Sequence, residues 1–352
     1  MVTRKSKFAR ILQDPLRKNL FQIALELGCY SILEKRFAKE YLSRLLYRKN
    51  SLPFKHFLRD KEIGKLQLSR ILHSDQSAET LINKIKFYQF CIQHDIPTPK
   101  IIVYNEKKVF HDFKQSFEIK DEYQFKDMTK TWIESSKYQS IFIKPVDGKG
   151  GVNAYRIDLK TTDAVYSAVY NTIVTAHYII QETIIQHAEI QTISPYSINT
   201  LRVDTYKPLN EPSRVMSALM RFGRKGFVVD NPGSSGGFFI PVDLKNKCLK
   251  APGLQMMVVG NHTYLEHPDT HVDLDKRPVP YLDEALALVN HACECLGDRL
   301  IGWDVCIGPE GPIIIEGNHN YHMVMQEVAF GGYRKHPDFI RVLKEEHIDV
   351  LD

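Results

Sequence analysis

The segment Gly302-Trp303-Asp304-Val305-Cys306-Ile307-Gly308-Pro309-Glu310-Gly311-Pro312-Ile313-Ile314-Ile315-Glu316-Gly317-Asn318 has the residue types and spacing to hold a hard cation. It reads as a β-hairpin. With Pro309-Glu310-Gly311 as a three-residue loop and Gly311 in the left-handed conformation, Gly308 pairs with Pro312 and Asp304 falls opposite Glu316. Side chains two apart share a strand face, so Asn318 joins the two carboxylates. Three oxygen ligands then converge, and magnesium bridged to phosphates is the natural occupant. The plain alternative is an exposed polar edge. The apolar run Ile313-Ile314-Ile315, which separates turn from acids, weighs against it.

Two further segments suit a nucleotide. In Ile143-Lys144-Pro145-Val146-Asp147-Gly148-Lys149-Gly150-Gly151-Val152 a strand delivers a lysine into a glycine-rich loop, whose backbone N–H groups can approach phosphate oxygens. In Tyr178-Ile179-Ile180-Gln181-Glu182-Thr183-Ile184-Ile185 an apolar strand ends at an acid, and such a segment can pack on a flat base while its backbone meets the base edge. Arg202 and Arg221 fall on predicted strands flanking the site, where a guanidinium suits a carboxylate or a transferring phosphoryl group. Asn231 and the Gly236-Gly237 turn follow as a loop over the phosphates. His319-Asn320-Tyr321-His322 directly follows Asn318 and is read as hydrogen-bonding groups near an acceptor, one of them a base, because imidazoles are soft additions to an oxygen site.

The elements that must position these residues are legible as an α+β order. Helical periodicity runs from Phe8 to about Tyr47 and again over Lys61 to Leu72; a helix from about Ala78 to His94 leads into a strand at Ile101–Tyr104. Strands at 140–144 and 177–182 enclose a helix at 163–175. Strands at 199–207, 214–222 and 236–242, a helix at 282–295 and the hairpin complete the chain.

With 352 residues, 43% hydrophobic and 25% charged, the chain can bury two or three compact units. No stretch reaches the roughly 20 apolar residues of a membrane span, and no signal peptide is read, so a cytoplasmic location is expected. Cys29, Cys91, Cys248, Cys293, Cys295 and Cys306 are scattered as reduced thiols, without the second Cys/His pair that structural zinc requires. The net charge of +5 is uneven: residues 1–70 hold 17 Lys or Arg against 6 Asp or Glu. That basic region raises peripheral contact with anionic lipid as a partner, against the plainer reading of a solvated helical face. Nucleic acid is not expected, since aromatic and basic residues are not interleaved as a stacking groove.

Taken in order, from Asn83-Lys84 and Ile96-Pro97-Thr98-Pro99 to Asn318, these segments resemble the ATP-grasp superfamily, over roughly three quarters of the chain. Ser194-Pro195-Tyr196-Ser197-Ile198-Asn199-Thr200-Leu201-Arg202-Val203, Met220-Arg221-Phe222-Gly223, Val229-Asp230-Asn231, Gly236-Gly237 and Ile301-Gly302-Trp303-Asp304 look like its sugar-transfer-associated family. The resemblance implies two α+β subdomains clasping ATP, at 76–183 and 184–352, behind a helical basic region at 1–75. It implies ATP and Mg2+ as cofactors. Lys84 and Lys144 would contact phosphates; Asp147, Gly148, Gly150 and Gly151 would belong to the lid loop; Glu182, Thr183, Ile184 and Ile185 would line the adenine site, and Glu189 would reach the ribose. Asp304, Glu316 and Asn318 would hold the metal, with Arg202, Arg221 and Asn231 as catalytic groups.

The implied reaction is ADP-forming amide synthesis from a carboxylate and an amine through an acyl phosphate, in surface polysaccharide assembly. The alternatives are a phosphotransferase and a non-catalytic membrane-associated scaffold. Two departures from the peptide-ligase branch stand out: Gly302 occupies a position where that branch often has arginine, and no Rossmann-like first domain is recognisable.

Overall fold

The computed structural model describes residues 7–148, 152–227 and 229–350; Gly150 and Gly151 of the expected lid lie outside the described residues. The chain opens with helices α1 (Lys7–Gln13), α2 (Leu20–Glu34), α3 (Lys39–Ser43) and α4 (Asp60–Gln67), followed by α5 (Asp75–Ile82) and α6 (Lys84–Gln93). The expected continuous helix from Ala78 to His94 is broken. Asn83 leaves the helical conformation and accepts hydrogen bonds from the backbone N–H groups of Ile85 and Lys86, starting α6 afresh and putting Lys84 at its first position.

A first sheet follows, built from β1 (Ile101–Glu106), β2 (Val109–His111), β3 (Ser116–Glu118), β4 (Ser140–Pro145), β5 (Tyr155–Asp158) and β6 (His177–Glu182). Its order is β3-β2-β1-β6-β4-β5, with every pair antiparallel. Helices α7 (Glu122–Ser135) and α8 (Asp163–Ile173) supply Phe125, Ile133, Val169 and Ile173 to the core on one of its faces.

After α9 (Ala188–Ile193) comes a second antiparallel sheet: β7 (Thr200–Tyr206), β8 (Arg214–Phe222), β9 (Phe238–Asp243), the short β10 (Cys248–Leu249), β11 (Gly253–Leu254) and β12 (Thr263–Tyr264), then β13 (Leu300–Gly308) and β14 (Gly311–Asn318). The order is β12-β11-β9-β8-β7-β13-β14, with β10 on β9. Helix α10 (Leu282–Leu296) packs Leu282, Ala285, Val289 and Ala292 into the core of this sheet together with Leu81, Phe87 and Cys91 of α5 and α6. Helices α11 (Val324–Phe330) and α12 (Pro337–Glu345) join Leu58, Ile63 and Leu66 in another apolar cluster. No helix among the described residues is long and apolar enough to cross a membrane.

The β13–β14 hairpin reaches the expected register by another route. Gly308 pairs with Gly311 around the two-residue turn Pro309-Glu310, and Val305 pairs with Ile314, one step short of the register in which Asp304 meets Glu316. A β-bulge makes up the step: Ile315 is the extra residue, and Asp304 pairs with Glu316, Trp303 with Gly317 and Gly302 with Asn318. Close packing fixes the hairpin from both sides. A side chain at Gly317 would meet the Trp303 ring at 2.9 Å, and one at Gly302 would meet the Tyr321 ring at 2.6 Å. Tyr321 therefore occupies the space an arginine at 302 would need.

Trp303 is fully buried beneath the hairpin, with its indole N–H donating to Thr205 Oγ1 at 2.8 Å. Trp303→Ala is expected to lower unfolding free energy by about 3–5 kcal/mol, measured as a shift in the urea midpoint.

Candidate active site

The two sheets and the segment after β14 enclose a cavity of about 450 Å³. Strand periodicity decides which side chains reach it. On β4, Phe142 and Lys144 line the cavity; on the neighbouring β6 strand Gln181 pairs with Phe142, and Gln181 and Thr183 line it too. Glu182 falls on the opposite face and pairs with Lys100 at 3.6 Å. Of the expected base-binding residues, Thr183 and Ile184 therefore line the cavity, whereas Glu182, Ile185 and Glu189 do not. Gln181 was missed because the acid drew notice while the two-residue alternation pointed to its neighbour. The Thr183 hydroxyl is buried without a hydrogen-bond partner among the described residues, which leaves an unmet polar group at this wall.

From the second sheet come Arg202 and Thr200 on β7, Arg221 on β8, Asp304 on β13, and Ile315, Glu316 and Asn318 on β14. The bulge explains why Ile315 and Glu316, adjacent in sequence, both line the cavity. Asp304 pairs with Arg202 in the β13–β7 ladder, and its carboxylate accepts both Arg202 Nε and, at 3.0 Å, Arg202 Nη2; Arg221 Nη2 lies 3.0 Å from Asp304 Oδ2. Arg221 also donates to Thr200 Oγ1 at 2.7 Å, and Thr200 in turn bonds Asp230. Asn231 lines the same wall and accepts from the Gly233 N–H at 2.8 Å.

The lysines lie across from these groups. Lys84 donates to the carbonyls of Val146 and Gly148 at 3.0 and 2.7 Å, tethering the start of the glycine loop to α6. Gly148 lines the main cavity, and Asp147 lines a small adjoining recess with Lys84, Glu316, Asn318 and His319. Burial, reinforced by neighbouring Lys84 and opposed by Glu316, lowers the pKa of Lys144 to about 8.

The carboxylates divide. Burial pushes Asp304 up, but Arg202 and Arg221 outweigh it and hold the group at about 2; burial and then the Asp304 charge push Glu316 up, opposed by Lys144. Two facing carboxylates with unequal proton affinity lie beside Asn318, whose Nδ2 donates to Glu316 Oε1 at 3.4 Å and whose amide oxygen would complete an all-oxygen donor set. That chemistry fits a hard divalent cation, whose charge would relieve the repulsion raising Glu316. Arg202 and Arg221 engage three of the roughly four acceptor sites of the Asp304 carboxylate, which leaves about one for a cation. No group of three or more His, Cys, Asp or Glu forms a metal site among the described residues; here the third donor is an amide.

Behind Arg202 on the same face of β7 stands Asp204, fully buried, accepting hydrogen bonds from Tyr333 Oη at 2.5 Å and Gln326 Nε2 at 2.8 Å. Burial raises its pKa to about 7, with Tyr333 and Arg202 pulling the other way. Beyond β14, Asn320, Tyr321, His322 and Met325 close the cavity, and burial lowers the His322 pKa, which favours the neutral imidazole. His319 instead sits edge-on to His73, with ring centroids 5.8 Å apart.

The family model described as sugar-transfer-associated ATP-grasp matches residues 65–336. No curated protein matches the sequence. Among solved structures, D-alanyl-alanine synthetase A from Vibrio cholerae is similar at 12% identity, over 76% of this chain and 65% of that one, with a TM-score of 0.46. The VanG D-Ala:D-Ser ligase from Enterococcus faecalis is similar at 12% identity over 77% and 63%, TM-score 0.45. An L-amino acid ligase from Bacillus licheniformis is similar at 15% identity over 72% and 43%, TM-score 0.39. The chain spans less than two thirds of the length of each of these structures.

The buried Asp204 generates a pH prediction. Between the unfolded value near 3.9 and the folded value of about 7, the native chain keeps a proton that the unfolded chain releases, so raising pH through that window removes stability. Urea unfolding from about pH 4.5 to 7.5 should show wild type losing roughly 1–4 kcal/mol relative to Asp204→Asn. Parallel pH profiles of the two proteins would contradict the assignment.

Proposed function

Because the chain belongs to the sugar-transfer-associated ATP-grasp family, we propose that it is an ATP-dependent carboxylate–amine ligase, working in the cytoplasm, that forms an amide through an acyl phosphate. The observation that carries this reading is the register of the second sheet, which brings Asp304, Glu316 and Asn318 together in one cavity with Lys84, Lys144, Arg202 and Arg221. Among the described residues four cations and three carboxylates, the third being Asp230, line it, a balance suited to a polyphosphate accompanied by a divalent ion.

Phe142, Gln181, Thr183, Ile184 and Ile315 offer apolar surface and hydrogen-bonding groups for the base. Lys84, Lys144 and the backbone at Gly148 face the phosphates, with Gly150 and Gly151 assigned to the same loop by sequence. Asp304, Glu316 and Asn318 would hold magnesium, which when bound neutralises phosphate charge. A carboxylate oxygen of the substrate attacks the γ-phosphorus, and the bond to the ADP oxygen breaks. Arg202 and Arg221, oriented by Asp304, bind the carboxylate and then the transferring phosphoryl oxygens. The amine attacks the acyl carbon, phosphate departs with its oxygen, and the proton released by nitrogen passes to the neutral His322 imidazole. Asn231 and the Thr200–Asp230 pair keep the loop and Arg221 in place.

The family description directs the substrate search toward sugar acids, amino acids and amino sugars of surface polysaccharides. A ligase releases ADP and phosphate only when carboxylate and amine are both present; ADP release with phosphate retained on one substrate would identify a phosphotransferase instead. Asp304→Asn and Glu316→Gln are each expected to lower turnover by about 100-fold or more, and Asp304→Asn should also free Arg202 and Arg221 from their shared anchor. His322→Gln is expected to slow amide formation while leaving hydroxylamine trapping of the acyl phosphate intact. Failure to trap acyl hydroxamate with any carboxylate in that screen would overturn the mechanism.

A further inference from the structure

Helix α2 is apolar around most of its circumference, a pattern found in helices buried on all sides, yet among the described residues only one edge of it is covered. Ile23 and Tyr30 face the core, while Phe21, Leu25 and Ile32 are 79%, 57% and 78% exposed. These positions are spaced by four and seven residues and share one face; Gly28 lies among them, and Leu20, Ala24 and Leu33 extend the exposed apolar surface. Phe37 beyond the helix, and Phe8 and Leu12 four apart on α1, are exposed as well.

The charges of this N-terminal segment are sorted by sign. Every acid between residues 7 and 59 turns inward: the Asp14, Glu34 and Glu40 side chains are nearly inaccessible, and Glu26 is held by Lys18 and Tyr41. Asp60, the next acid along the chain, is held by Arg36 and Arg44. Among the described side chains of residues 8–59 the exposed charges are Lys35, Arg36, Lys39, Lys49 and Lys55, of which Arg36 is already paired with Glu34, Glu40 and Asp60. Folding therefore converts a basic sequence into a surface showing apolar side chains and cations.

We infer that this face of the N-terminal helices is the surface by which the protein sits on an anionic lipid bilayer, with α2 lying in the interface. Such a helix gains binding from apolar area immersed at the acyl boundary and from cations beside anionic headgroups, and this segment presents both. A second copy of the chain fits less well. An isologous interface would pair the apolar stripe with itself but set the flanking cations against their like across the two-fold axis, with the segment's acids turned inward. The inference is independent of the ligase reading, since it uses no residue of the cavity.

The test uses the full chain and sedimentation with vesicles of phosphatidylcholine alone or mixed with phosphatidylglycerol. Binding is expected only to the anionic vesicles, and high salt should release it. Phe21→Ser/Ile32→Ser is expected to weaken vesicle binding about 10-fold or more, and Lys35→Glu/Lys39→Glu to weaken it by a similar factor. An unchanged urea midpoint in both variants shows that folding is intact, as expected for exposed positions. No binding to anionic vesicles at low salt, or equal binding by the Phe21/Ile32 variant, overturns the inference. A concentration-dependent dimer that the same variant dissociates overturns it too, and gives the face to a second copy.

Discussion

The structure turns on a buried carboxylate, Asp304, that two arginines from neighbouring strands hold ionised. A charge in that position is costly to desolvate, and replacing such a network with apolar side chains commonly leaves stability unchanged or improved. Its value is positional. Arg202 and Arg221 sit on adjacent strands, are both tied to one carboxylate, and so present fixed guanidinium groups to the cavity. Glu316 meets the same carboxylate from the other side, where the cost of two neighbouring negative charges appears as its raised proton affinity.

A network of this kind depends on strand register, because a slip of one residue sends each side chain to the opposite face. Four strands in the order β8-β7-β13-β14 must agree. The hairpin could not satisfy both its two-residue turn and the Asp304–Glu316 pairing in a regular ladder, and the bulge at Ile315 reconciles them. Trp303 and Tyr321, each filling the space left by a glycine on the hairpin, make alternative registers sterically expensive.

Much of this was legible because strand chemistry is local. The 3.6- and two-residue periods located most of the elements named from sequence, and the spacing of Asp304, Glu316 and Asn318 identified the facing trio. The turn was misjudged for a physical reason: Gly311 has φ +136°, which a glycine can adopt without the left-handed three-residue loop, so its presence did not discriminate between turn lengths. The break at Asn83 was hidden in a continuous apolar pattern and became apparent only through the cap it forms. Asp204 was illegible for a different cause. Nothing near it in sequence announces that Ser217, Gln326 and Tyr333 will surround it, since those contacts come from β8, α11 and the bend after α11, all more than ten residues away.

The N-terminal helices illustrate the limit of composition as a guide to surface. Their excess of Lys and Arg suggests a uniformly cationic layer, but Arg44 and Arg48 are buried, Arg44 beside Glu327 and Arg48 on Asp14. Glu327 also accepts the Leu58 N–H at 2.7 Å, so a single side chain of α11 fastens the helical layer to the second sheet's side of the molecule. Only a few residues before Glu327, the segment from Asn320 to Met325 forms a wall of the cavity. Buried basic residues thus hold the helical layer in register with the site, while the exposed ones remain on the outside. Basic side chains serve both ends: Arg44 and Arg48, in the turns after α3, meet inward carboxylates, whereas Lys35 and Lys39 face outward.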